Sequence, residues 1–91
     1  MQEDIKNKKQ ELKNALAQVV KKHRKEQKKS MSKISAEIMM TKSMWQALES
    51  GKKDPQYSTF CRIAEALGIS SEQLSKEVKD ILGSDFSISD F

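Results

Sequence analysis

Three glycines and one proline are the strong helix breakers of this chain, and their positions divide it. Gly51 and Pro55 bracket Lys52-Lys53-Asp54, Gly68 follows Leu67, and Gly83 follows Leu82. Only glycine and proline carry a large helix penalty, about 1 and about 3 kcal/mol per residue. The stretches between them are therefore free to be helical, and their apolar residues recur at three- and four-residue spacing, the period of an amphipathic helix.

Five helices follow from that pattern. The first spans Glu11 to Gln27, with Leu12, Leu16, Val19, Val20 and His23 on one side; residues 1–10 are polar and either fray or extend it. Ser30 is placed to cap the second, where Ile34 and Ile38 share a face and Ser35 is small enough for a neighbouring helix to approach. Thr41 caps the third, with Met44, Trp45 and Leu48 apolar, and Gly51 ends it in a left-handed conformation. The fourth runs from about Ser58 to Leu67, with Phe60, Ile63, Ala64 and Leu67 apolar. Ser70 or Ser71 opens the fifth, whose inner face is Leu74, Val78, Ile81 and Leu82. The fold predicted is all-α, a compact five-helix bundle over residues 11–82, followed by an acidic and apolar tail over 83–91.

At 91 residues the bundle is small, so dimerisation is an expected aid to its stability. No apolar run approaches the roughly 20 residues that cross a bilayer, and the polar start MQEDIKNKKQ lacks the apolar centre of a signal peptide. The lone Cys61 has no partner in the chain for a disulfide, and its setting (FCRIAEAL) makes it a small core residue. A cytoplasmic location is expected. His23 and Cys61 stand without a paired acid, base or metal-ligand spacing, so neither enzyme nor cofactor is expected, and His23 reads as a helix-one surface or core-edge residue. Charge is unevenly spread. Residues 1–53 hold 14 Lys and Arg against 6 Asp and Glu, and residues 54–91 reverse this to 3 against 7, within a chain net of +4. A basic half holding Lys42, Lys52 and Lys53 suits a polyanionic partner.

The run SMSKISAEIMMTKSMWQALESGKKDP, Ser30 to Pro55, resembles the helix-turn-helix of the lambda-repressor and Cro-like (XRE-type) DNA-binding family. The family's pattern falls on Ser30, the Ile34-Ser35 pair, Met39, Met40, Thr41, Trp45, Leu48 and Glu49 through Pro55. The later run Ile63-Ala64-Glu65-Ala66-Leu67-Gly68-Ile69 also resembles its fourth helix and glycine stop. The similarity covers about Leu16 to Leu82. It implies that the third helix lies in the major groove of double-stranded DNA, with Lys42, Ser43, Gln46 and Ala47 facing the bases and Trp45 in the core. By their chemistry, Gln46 suits adenine, Lys42 guanine, and Ala47 the thymine methyl. Ser32, Thr41, Ser50, Lys52 and Lys53 are the implied phosphate contacts, with Lys28 and Lys29 adding charge nearby. Arg24 and Glu49 stand where the family pairs an arginine with a glutamate, tying helix one to the end of helix three.

Two positions depart from the family. Met39 occupies the usual turn glycine, which predicts a helical variant of the turn, since a side chain at positive φ costs on the order of 1 kcal/mol. Met31 replaces a frequent glutamine and is expected to cover the core edge. The function implied is a sequence-specific transcriptional regulator, a repressor that binds as a homodimer. Helix five and the tail, with Leu74, Val78, Ile81 and Phe86, are the expected interface. Two alternatives accompany it. One is an antitoxin autoregulating its operon, its tail Asp85–Phe91 occupying a toxin. The other is a protein–protein adaptor without DNA binding, suggested by Met31, Met39 and the lack of arginine on the recognition face.

Overall fold

A computed structural model describes residues 2–87, with side chains over residues 7–87. Five helices follow in order: α1 (Gln2–Glu26), α2 (Met31–Glu37), α3 (Lys42–Glu49), α4 (Tyr57–Leu67) and α5 (Ser71–Leu82). No strand occurs among the described residues. Hydroxyl caps open three of the helices. Ser30 Oγ accepts from the Lys33 amide at 3.0 Å, Thr41 Oγ1 from Met44 at 3.1 Å, and Ser70 Oγ from Gln73 at 3.0 Å. Each bond satisfies a donor that the first helical turn leaves without a partner.

Trp45 fills the centre, fully buried. Around it close Val20 from α1, Ile34 from α2, Leu48 from α3, Ile63 from α4 and Leu74 from α5, each at most 2% exposed. Burying a side chain of this size contributes about 1.5–3 kcal/mol, so the five helices share one core. Ser35 is buried with them and satisfies its hydroxyl locally, donating to the Ser32 carbonyl at 3.1 Å. Met31, Phe60, Ile69 and Leu82 pack on the core's edge.

The helix ends use one device four times. At Gly51 and Gly68 the chain turns left-handed, and the glycine amide and the one after it donate back to the closing turn: Gly51 to the Leu48 carbonyl and Lys52 to Ala47, then Gly68 to Glu65 and Ile69 to Ala64. The same pair of bonds closes α1 around Lys28 (φ 57°) and α2 around Met39 (φ 57°). At Met39 its own amide bonds Ala36 and the Met40 amide bonds Ser35 at 2.9 Å. The turn is therefore not the helical variant expected from Met39. The glycine-type turn is retained because those two bonds, an Arg62 guanidinium bond to the Ile38 carbonyl from α4, and burial of Met40 together outweigh the side-chain penalty.

Other boundaries also shift. α1 starts at Gln2, held along its first half by contacts from distant parts of the chain. Lys8 Nζ donates to the Ser87 carbonyl at 2.6 Å, and Gln10 Nε2 donates to the Gly51 carbonyl at 2.9 Å. α4 starts at Tyr57 rather than Ser58, and Cys61 is only partly buried rather than a core residue. Ile81, expected on the inner face of α5, is 47% exposed. The stripe facing the core runs by fours through Leu74, Val78 and Leu82, and Ile81 is rotated off it to the cleft beside Gln18 and Lys22. Phe86 is half-buried beside Leu12 and Leu82; Ile88 and Phe91 of the tail lie outside the described residues.

Candidate nucleic-acid interface

α3 has one turned-in side and one free side. Trp45 and Leu48 face the core at 0% and 2% exposure, whereas Lys42, Ser43 and Gln46 are exposed and Ala47 is half-buried. Residues 42 and 46, 43 and 46, and 43 and 47 are neighbours on the helix surface, being three or four apart. They form one small polar patch at the N-terminal half of the helix. Its first turn holds no acidic side chain, so the positive end of the helix dipole and the Lys42 ammonium reinforce each other. Met44 is 40% exposed at the edge of that patch and lines a cleft with Met40, Pro55 and Ile63.

The back of the helix is fixed by charge as well as packing. Arg24 Nε donates to Glu49 Oε2 at 2.5 Å and Arg24 Nη2 to Glu49 Oε1 at 3.0 Å, a two-point pair. The remaining guanidinium nitrogen, Nη1, donates to the Lys29 carbonyl at 2.9 Å. Trp45 Nε1 donates to Glu49 Oε2 at 2.5 Å. One carboxylate, its side chain 4% exposed, thus collects the guanidinium from α1 and the indole from its own helix. The Glu49 hydrogen bonds push the Arg24 pKa up from its ordinary value, against the burial that pulls it down. This arrangement sets the angle of α3 against α1, and through Lys29 it also fixes the entry to α2.

The side chains expected at phosphates lie on α2 and at the two ends of α3. Ser32, Thr41, Ser50, Lys52 and Lys53 are all exposed. Among the described residues no ion pair engages Lys42, Lys52 or Lys53. Thr41 Oγ1 already accepts the Met44 amide but keeps its own proton to donate. Ser50 differs, because its hydroxyl donates to the Ala47 carbonyl at 2.9 Å. It would have to release that bond before donating to a phosphate. Of the pair named near the α1–α2 turn, Lys28 is exposed and makes no ion pair among the described residues, while Lys29 Nζ bonds Glu37 at 3.0 Å, which lowers its value as a counter-charge.

Four supporting residues escaped sequence reasoning. Arg62 bonds the Ile38 carbonyl. Gln27 Nε2 donates to the Leu67 carbonyl at 2.6 Å and so caps the end of α4 from the end of α1. Gln10 holds the Gly51 carbonyl, and Asn14 packs so closely that a Cβ on Gly51 would lie 2.4 Å from its Oδ1. Such partners are 24 to 41 residues apart, and no local pattern announces them. His23, expected at the surface or core edge of helix one, is half-buried and meets α5 through Glu77, with Nε2 to Oε1 at 2.8 Å.

Among the described residues no cluster of His, Cys, Asp and Glu is arranged to hold a metal ion, and no helix is long and apolar enough to cross a membrane. No curated protein and no solved structure matches the chain. Against protein families, however, residues 17–79 match the helix-turn-helix domain. That span runs from the middle of α1 into α5 and contains the capped pair α2–α3, the Met39 turn and the braced third helix, so this chain belongs to the helix-turn-helix domain family.

Proposed function

We propose that the chain is a sequence-specific regulator of transcription that binds double-stranded DNA through the major groove and acts as a repressor by occupying its operator. The observation that carries this is the two-sidedness of α3. Its buried side is locked by Trp45, Leu48 and the Arg24–Glu49 pair, and its other side offers Lys42, Ser43 and Gln46 without side-chain partners among the described residues. Gln46 would bind an adenine edge at two points, Lys42 would donate to guanine, and Ala47 would meet a thymine methyl, each good contact worth about 1–3 kcal/mol of discrimination. Ser32, Thr41, Lys52 and Lys53 would hold phosphates and set the register.

The regulator binds as a homodimer through α5 and the tail. Leu74 and Val78 are buried in the chain's own core and drop out of that surface, and Ile81, 47% exposed on α5, is the apolar residue that supports it. Two-fold pairing would set recognition helices about 34–36 Å apart on a near-palindromic site.

Selection of bound duplexes from a random pool tests the proposal. A near-palindromic consensus that loses one position in each half on Gln46→Ala is the expected result. A protein that recovers no consensus, and whose weak binding ignores salt, is not a DNA-reading regulator.

A further inference from the structure

The matched helix-turn-helix domain begins at residue 17, yet α1 begins at Gln2. The added part of α1 therefore runs about 22 Å at 1.5 Å per residue. It is fastened to the turn that leaves the recognition helix. Gln10 Nε2 donates both to the Gly51 carbonyl at 2.9 Å and to Asn14 Oδ1 at 2.8 Å, and Asn14 fills the space a Cβ on Gly51 would take. The next two residues of that turn are Lys52 and Lys53. Lys13 of α1 lines the same cleft as Lys53, and Lys9 stands exposed one helical turn before it. Neither Lys9 nor Lys13 makes an ion pair among the described residues. Glu11, two residues from each, lies on the opposite side of the helix. Asp54 shares the cleft and offsets one charge, which leaves the edge positive.

We infer that the N-terminal half of α1 is a second phosphate-binding element, in which Lys9 and Lys13 prolong the Lys52–Lys53 edge and extend contact along the DNA backbone beyond the reach of α3. The inference rests on the DNA-binding reading above. Flexible lysines would lose entropy on binding, but a helix already fixed to the turn by Gln10 and Asn14 presents its charges in register. The element would raise affinity for any duplex without altering base preference, because phosphate contacts carry no sequence information directly.

The test is fluorescence anisotropy with a labelled random-sequence duplex, titrated between roughly 50 and 200 mM salt. The variant Lys9→Gln/Lys13→Gln is compared with Lys22→Gln/Lys76→Gln, which removes as much charge from the α1–α5 side, and circular dichroism verifies that both remain folded. The expected result is a salt slope shallower by about 1.8 for the first variant, from about 0.9 per phosphate contact, and an unchanged slope for the second. Equal changes in both variants, or none in the first while the unaltered protein binds, overturn the inference. An unaltered protein without salt-dependent binding overturns the DNA-binding reading and this element with it.

Discussion

Arg24 and Glu49 lie 25 residues apart in the chain and meet through two hydrogen bonds, with the Arg24 side chain 11% and the Glu49 side chain 4% exposed. A pair this enclosed has little water to fall back on if one member is lost. Arg24→Ala is expected to lower the unfolding free energy in urea by about 3–5 kcal/mol, the usual cost of stranding a buried charge. Glu49→Gln keeps an acceptor for the Trp45 indole but leaves the Arg24 guanidinium without its counter-charge; that cation still donates to the Lys29 carbonyl and sits on the more exposed of the two side chains, so the loss should be smaller. A larger loss for Glu49→Gln than for Arg24→Ala would show that the guanidinium left without its counter-charge costs more than the stranded carboxylate.

The left-handed turn at Met39 predicts an uncommon gain. Its side chain is 90% exposed, so deleting it gives up almost no packing. Met39→Gly should stabilise the protein by about 0.5–1 kcal/mol, since glycine takes this conformation without the Cβ clash. Gly51→Ala should act oppositely and cost about 1–2 kcal/mol. It adds strain at φ 78° and drives a methyl towards Asn14 Oδ1. Thermal unfolding of the two variants reads both signs.

These two turns also show which parts of the fold were visible in the sequence. The α3 boundaries follow from Thr41 as a cap, Trp45 and Leu48 as the buried pair, and Gly51 as the stop, all local signals. The turn at Met39 was not legible because part of what holds it is not local. Arg62, from α4, takes up the Ile38 carbonyl, and the core takes up Met40. The start of α1 was ambiguous for the same reason. Its polar residues carry no helical apolar pattern, and its partners, Gly51 and Ser87, are 41 and 79 residues away. Exposure on α3 was legible from spacing alone, but the engaged Ser50 hydroxyl and the Lys29–Glu37 pair depend on side-chain geometry.

Acid should loosen the junction of α1 and α5. The Glu77 carboxyl is held below its ordinary pKa of 4.5, first by the Gln73 amide donating at 3.0 Å and then by His23 and Lys22. Because the folded pKa lies below the unfolded one, this stabilisation is present in full above the ordinary carboxylate range. It is lost as pH falls from about 4.5 through the folded value, where the unfolded chain binds the proton more readily. Urea midpoints measured across that range should decline less steeply for Glu77→Gln. In Gln73→Ala the Glu77 carboxyl should titrate closer to its ordinary value by NMR.

Phosphate and base contacts should separate by their signatures. Lys52→Gln is expected to weaken binding to every duplex alike and to reduce the salt slope by about 0.9. Gln46→Ala should leave the slope in place and cost about 1–3 kcal/mol at one position of each half-site. Competition titrations with matched and mismatched duplexes measure the two effects independently. Identical behaviour of the two variants would remove Gln46 from the reading face.

Trp45 is the chain's single tryptophan, fully enclosed, with its indole nitrogen engaged by Glu49. The protein consequently carries a built-in optical reporter. Its emission should sit at short wavelength while the bundle holds and move to the red when solvent enters. A duplex seated on the opposite side of α3 would not touch the ring, so ligand titrations and melting curves can be followed in one sample with little optical cross-talk.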